Sequence, residues 1–528
     1  MKKFSICVLA VLISINGFSG STPEDDGAAA ELSHFVFNNA VEPESLDPAL
    51  ILAVPAHIIN LALFEGLVTY DPKTVEAVPG VAESWEISDD GMTYTFKLRS
   101  NALWSDGTPI TAQQFVESWL RLLDPETAAL SAYMMTMVVE GADQYNLGQS
   151  GPEAVQIRAL DDHTFQFDLI GPVPYALDML SHPAFSVHPI HVIEKYGREW
   201  IHPDNFVGNG PFLLEEWIPH YKIVVRKSET YWDRDNVGLG KITFLCIEDD
   251  NTALNMYLKG QVDWIGYVPG ARLEEMKLHD DYHCGLSFIT YFYRFNINKV
   301  ALNDHRVRKA LAMSIDRQEL VDRVTRGGEI PAFGLTPPLP RYPAVIGFRE
   351  DLATARSLLA EAGFPGGEGF PRLTLLYNTH EGHKRIAEYV QQLWSDKLGL
   401  EVEIENKEWN AFLASLDTCD FDIARAGWMG TYLDPNTFLD LWTTESEVNS
   451  CNWSNPEFDS LIEKAAEMPA GQERLELLRK AEQILISEEM AVLPLYYYTR
   501  MNWIDTDVWG GWYENLLDVH PWKAIYKK

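Results

Sequence analysis

The chain has 528 residues, with 77 Asp and Glu against 42 Lys and Arg, for a formal net charge of −35. At 46 % hydrophobic and 12 % aromatic it is too apolar for a disordered chain, and its length suits two to four domains with sizeable cores. The excess of acid argues against nucleic acid and anionic lipid surfaces as partners, because both call for a basic face.

The first 19 residues read as an export signal. Lys2 and Lys3 precede a short apolar run from Phe4 to Ile15, and Gly17 and Ser19 offer small residues before a cut expected after Ser19. Their removal makes the charge two units more negative. No other apolar run approaches the ~20 residues that a membrane span needs. Cys7 lies inside the apolar run, too early for a lipid-modified cysteine, so a soluble, exported product without a lipid anchor is expected.

Strand and helix patterns then alternate. Residues 93–99 alternate as a strand, and a turn over 105–109 leads to a helix capped by Thr111. Gln114 stands at the capping-box position, and Phe115, Trp119 and Leu122 share one face. A second helix follows Asn303-Asp304, with Val307, Leu311 and Ile315 as its stripe. A third covers 351–362 and ends at Gly363. A fourth covers 471–487, with Leu475, Leu478 and Ile484 inward. Residues 492–498 form a strand in which Pro494 predicts an edge or a strand start. The pattern is α/β with mixed sheets.

Catalytic motifs are not met. His380-Glu381-Gly382-His383 is one residue short of H-E-x-x-H, and His279 and His283, four apart, have no clear third ligand. Residues 148–151 lack the nucleophile elbow, 208–210 lack a third glycine, and no Walker lysine follows a glycine loop. Acid pairs such as Asp161-Asp162 and Asp249-Asp250 are expected by chance among 77 acids. A secreted carbohydrate hydrolase remains a rival on composition alone. Neither a cofactor nor a metal is expected. Cys246, Cys284, Cys419 and Cys451 allow three pairings without any C-x-x-C; Cys419–Cys451, flanking one loop-rich segment, and four free thiols both stay open.

An ordered set of motifs spans the chain: Ser45-Leu-Asp-Pro48, Leu63-Phe-Glu-Gly-Leu67, Ala82-Glu-Ser-Trp85, Trp104 to Ala112, Gly208-Asn-Gly-Pro211 and Tyr231-Trp232. It continues with Asn303 to Leu311, Leu375 to Thr379, Ala424-Arg-Ala-Gly-Trp428 and Leu493 to Tyr498. This set resembles the oligopeptide-binding proteins of ABC importers, family 5 of the extracellular solute-binding proteins. The resemblance implies a two-lobed periplasmic-binding-protein fold with an extra domain and hinge closure. The first lobe would combine 31–65, 187–288 and 499–528, the extra domain 66–186 and the other lobe 289–498. It also implies a monomer in the periplasm that captures an oligopeptide and docks on an ABC permease in the inner membrane.

The same resemblance assigns ligand positions. Arg425, Gly427 and Trp428 match the segment lining the cleft: Gly427 would let ligand main chain approach, Trp428 would wall a pocket, and Arg425 would meet a ligand carboxylate or a structural acid. His383 and Lys299 match positions that meet the ligand C-terminus, and Trp409 matches a pocket wall or a core residue. Three charged contacts of the peptide binders are neutral here: the ammonium-gripping aspartate is Thr431, another acid is Leu52 and an arginine is Leu416. Asp434 belongs to a later Asp-Pro element and does not replace the aspartate in register. An ammonium buried without a counter-charge costs several kcal/mol. A blocked, more apolar or non-peptide ligand is therefore expected, an oligosaccharide included; a sensor or chaperone keeping the fold is a further class. Sixteen tryptophans would suit sugar, but Trp85, Trp104 and Trp119 sit in core and turn patterns.

Overall fold

The computed structural model describes residues 33–51, 53–430, 432–446, 448–449, 451 and 453–528. The expected export signal with Cys7, and the expected ligand positions Leu52 and Thr431, lie outside the described residues.

Among the described residues, eleven strands join in one mixed sheet. They are β1 (Ser33–Asn38), β2 (Phe212–Ile218), β3 (Lys222–Lys227), β4 (Leu239–Leu245), β5 (Trp264–Ile265) and β6 (Tyr282–Phe295). The rest are β7 (Ile330–Pro331), β8 (Leu373–Asn378), β9 (Val402–Lys407), β10 (Ile423–Met429) and β11 (Val492–Ile504). The order is β9-β8-β10-β6-β11-β5-β1-β4-β3-β2, with β7 added on β11. β1 runs parallel to β4 and β5, and β8 runs parallel to β9 and β10. The long antiparallel pair β6–β11 belongs to both halves, so the molecule has two lobes joined through two strands. Its register shifts between Leu286 and Thr290, opposite Thr499 and Tyr497.

The helices that matter to the site are α1 (Val54–Leu63), α2 (Ala112–Leu123), α3 (His305–Met313), α4 (Leu352–Glu361), α5 (Glu381–Leu398), α6 (Trp409–Asp417) and α7 (Gln472–Gln483). α2 starts as its capping residues require: Gln114 Oε1 accepts from the Thr111 N–H at 3.2 Å and from Trp104 Nε1 at 3.1 Å. Phe115, Trp119 and Leu122 are fully buried, Trp119 edge-on to Phe165 at 4.9 Å. They cover a separate four-stranded sheet of Ala82–Ile87, Thr93–Leu98, Thr164–Asp168 and Ile157–Asp161.

Cores follow the sheets. One continuous cluster runs from Phe35 and Trp522 in the first lobe to Phe96, Trp104 and Trp119 around the small sheet. The other lobe buries both faces of its strands: Tyr291, Tyr293 and Leu375 on one, Phe288, Phe292 and Ala426 on the other.

Two local expectations change. Pro494 does not make β11 an edge strand: β11 is central in the strand order. At Pro494, its third residue, only β6 pairs with it, since β7 meets β11 at 496–497 and β5 at 503–504. Pro494 faces Phe292 beside a second register shift. A bulge tolerates the missing N–H, and the Pro494 carbonyl accepts from Nε of buried Arg317 at 2.9 Å. The helix expected over 471–487 is α-helical only to Gln483, then π-helical over Ile484–Glu488. Ile484, Leu485 and Ile486 are consecutive and all buried, which one stripe of a regular helix cannot achieve.

Candidate ligand cleft

A cavity of about 420 Å³ opens where the two lobes meet. Its floor is the carboxyl end of β1 and β5 (Phe37 to Asn39, Trp264), the place where strands of an α/β sheet leave a crevice. Its far wall is Met429 and Gly430, at the end of β10. Arg500 and Asn502 of β11 line it just past the register shift. Tyr267, Val54 and Met429, which all line it, are 61 %, 60 % and 55 % exposed. Apolar side chains held open to water in a concave site are a surface to be covered.

The charged groups and imidazoles among the described lining residues are few. The His57 and His182 rings meet edge to face at 4.8 Å. Burial holds both below the ordinary imidazole range, His182 at about 4, so both are neutral at pH 7. Asp518 accepts from Asn502 Nδ2 at 3.0 Å and lies 3.1 Å from His520 Nε2.

A second group lies along the same strands. Side chains alternate on a strand, so Arg425, Gly427 and Met429 share one face of β10, and Tyr496, Tyr498, Arg500 and Asn502 share one face of β11. The Arg425 guanidinium sits over the Tyr291 ring at 5.0 Å and donates to Asn378 Oδ1 at 3.4 Å. Its Nε is buried without a hydrogen-bond partner, and among the described residues no carboxylate pairs with it. His383 of α5 lies beside it, with Tyr291 Oη 3.4 Å from Nδ1. Burial first, then Arg425 and His380, holds His383 at about 3, so the ring is neutral.

The structure sorts the remaining sequence candidates. Gly427 is exposed, and a Cβ built there would meet only Arg425 Nη2 at 3.4 Å and the Thr290 carbonyl at 3.5 Å, so internal packing does not demand glycine. Trp428 points to the opposite face and packs on the Phe288–Trp442 cluster, with its Nε1 buried and unpartnered. Trp409 is 49 % exposed and stacks on Phe412 at 5.9 Å, which rules out a core role. Leu416 packs with Cys419 against Phe412 and Phe421. Lys299 pairs with Asp422 at 3.0 Å, at the other end of β10 from Met429. Asp434 is committed to Arg474 at 2.6 and 3.0 Å, both buried.

Cys419 and Cys451 form a disulfide, and Cys246 and Cys284 are free. His380 caps α5 by accepting from the Gly382 N–H. Among the described residues no group of three or more His, Cys, Asp or Glu could hold a metal, and no helix is long and apolar enough to cross a membrane. Reasoning from sequence missed Arg500, Asn502, His57, His182 and His520. The alternation of Tyr496, Tyr498, Arg500 and Asn502 was the one available signal, and the strand prediction stopped at 498.

Residues 76–450 match the model of the bacterial extracellular solute-binding proteins, family 5 Middle. The chain belongs to this family. The periplasmic oligopeptide-binding protein OppA of Escherichia coli is 36 % identical, over 98 % of this chain and 97 % of that protein. The unliganded open form of the E. coli murein tripeptide-binding protein MppA superposes with a TM-score of 0.86 at 35 % identity, covering 94 % of this chain and 98 % of that one. A second MppA structure, at the same identity and covering 94 % and 99 %, gives 0.70. Of these two, the arrangement described above superposes better on the form named as unliganded and open. The cavity has walls on both lobes.

Proposed function

We propose that this family member is an extracytoplasmic solute-binding protein that closes its lobes on an oligopeptide or peptide-like ligand and delivers it to an ABC permease in the inner membrane. The observation that carries this reading is the cavity between the strand ends of one lobe and Met429–Gly430 of the other, lying at the register shift of the only two strands, among the described residues, that both lobes share. Closure is rotation about that break. The moving bodies are 31–65 with 187–288 and 499–528, and 289–498; the extra domain 66–186 rides with the first, whose core it shares. Ligand favours the closed state through contacts made only there.

Recognition combines main-chain pairing at Gly427 with roomy side-chain pockets. Arg425 supplies charge to a ligand carboxylate, and neutral His383 supplies a hydrogen bond. Lys299 reaches the ligand only by leaving Asp422, while Trp409 walls a pocket on the far side. The neutral residues Leu52, Leu416 and Thr431 narrow the range of charged ligands. Residues 1–19 direct export to the periplasm, where the protein works as a monomer and performs no chemistry on its cargo. A sugar platform has little support, since the cavity tryptophans Trp264 and Trp522 are almost wholly buried.

Mass spectrometry of ligand released on denaturing the purified protein, paired with X-ray scattering, tests the reading. Peptide or peptide-like ligand and a smaller radius of gyration on saturation are expected. A sugar in the released pool, or turnover of a peptide or glycan, would overturn it.

A further inference from the structure

We infer that Arg500 sets the charge accepted at the hinge end of the cleft: the ligand group taken there is a carboxylate beside apolar bulk, and an ammonium is refused. The inference rests on the peptide reading above and narrows it to one class of ligand terminus.

Arg500 lines the cavity from β11 and is half-buried. Its backbone is paired in the sheet opposite Gly285, but its guanidinium makes no hydrogen bond or ion pair with any described residue. Other shielded arginines have partners: Arg121, Arg308, Arg317 and Arg474 have an acid, while Arg294 has the Val448 carbonyl and Arg425 has Asn378 and the Tyr291 ring. In a chain with 77 acids and 42 basic residues, a guanidinium with no acid beside it is placed against the average.

The acids within reach are engaged. Asp518, the one carboxylate among the described lining residues, already takes Asn502 and His520. Glu514 accepts from the Cys284 N–H and sits against Gly285, the β6 residue opposite Arg500, without pairing with it. His57 and His182 are neutral and balance nothing.

When the lobes close, the apolar walls Val54, Tyr267 and Met429 remove water from this guanidinium. A desolvated cation needs an anion, and a planar fork matches a carboxylate with two parallel hydrogen bonds. An ammonium in the same space would meet a like charge with no counter-ion. The terminus set against Arg500 is the one that the family resemblance assigns to position 431, which follows the lining residues Met429 and Gly430 in sequence.

One apolar pentapeptide with a free amine, an N-acetyl or an N-succinyl terminus, titrated calorimetrically into the full chain, is the test. Succinyl is expected to bind at least tenfold tighter than acetyl, and acetyl severalfold tighter than amine. Arg500→Gln should flatten the series to within threefold, and Arg500→Glu should invert it, a gain that misfolding cannot imitate. A free-amine peptide binding as tightly as the succinyl form, or a series unchanged in Arg500→Gln, overturns the inference. If no peptide form binds, the peptide reading falls, and N-dodecanoylglycine against its amide decides the charge question. An Arg500-dependent preference for the carboxylate upholds the inference; equal behaviour of the two, absence of binding included, overturns it.

Discussion

Inside the second lobe, Arg474 lays its guanidinium on Asp434 and donates Nε to the Ala465 carbonyl at 3.0 Å, with 2 % of its surface exposed. In the cleft, Arg425 rests on Tyr291 and Asn378 and Arg500 on nothing described, and neither has an acid. The same side chain is structural in one region and waiting in the other. What differs is whether its counter-charge is covalently part of the chain. The comparison also disposes of Asp434 as a stand-in for the missing ammonium ligand, because its carboxylate is already spent on Arg474.

The sharpest way to break this contrast is to treat both arginines alike. Arg474→Met leaves Asp434 buried and unpaired, and should cost about 3–5 kcal/mol of stability in denaturant unfolding. Arg500→Gln should change stability by less than ~0.5 kcal/mol, as a surface substitution would. Equal losses would erase the distinction.

The wall behind β10 offers the next test. Cys419 and Cys451 are 32 residues apart in sequence. Replacing both by serine should lower stability by about 3 kcal/mol, in line with a loop of this size. A loss below ~1 kcal/mol would mean that the cluster of Leu376, Phe412 and Phe421 holds the wall by itself.

A third test sets a desolvated acid against the paired one. Asp440 is pushed up to about 7 by burial and by the charge of Asp434, next to the Tyr175–Tyr432 stack where the extra domain meets the second lobe. Its folded value is raised, so the stability tied to its proton is complete below the unfolded value of ~4 and is lost as pH rises toward 7. Asp440→Asn should therefore stabilise by roughly 1–3 kcal/mol at pH 8 and by almost nothing at pH 4. Unfolding followed at both values decides; a gain independent of pH would contradict the assignment.

The smallest effects sharpen the ligand side. Gly427→Val should leave stability within ~1 kcal/mol, since only ordinary contacts await the new side chain, yet weaken ligand binding at least tenfold. Thr431→Asp should improve free-amine peptide binding severalfold by supplying the counter-charge that position lacks. No change in calorimetry would discredit the register on which Thr431 was chosen.

Local structure was legible wherever a residue's neighbours in sequence are also its neighbours in space. Thr111 with Gln114 starts α2, Asp304 caps α3, Asp351 caps α4, and the stripe of Phe115, Trp119 and Leu122 lies in the core as its spacing required. Pro494 misled because a strand's place in a sheet is set by its partners, β6 and β5, which lie more than 200 residues upstream. The cleft was half legible: the segment 425–428 runs up to Met429 and Gly430, which line the cavity, but the face each of its side chains takes depends on the pairing of β10 with β6.

By itself the amino-acid sequence revealed the class of the protein through its ordered set of family motifs, its α/β alternation through periodicity, and the neutral residues Leu52, Leu416 and Thr431 at three expected ligand positions through residue identity. The choice between a Cys419–Cys451 bridge and free thiols, the commitment of Asp434 to Arg474 and the isolation of Arg500 were decided only in three dimensions. Ion pairs and disulfides form between groups brought within a few ångströms by the sheet, and a count of 77 acids carries no information about which guanidinium they leave alone.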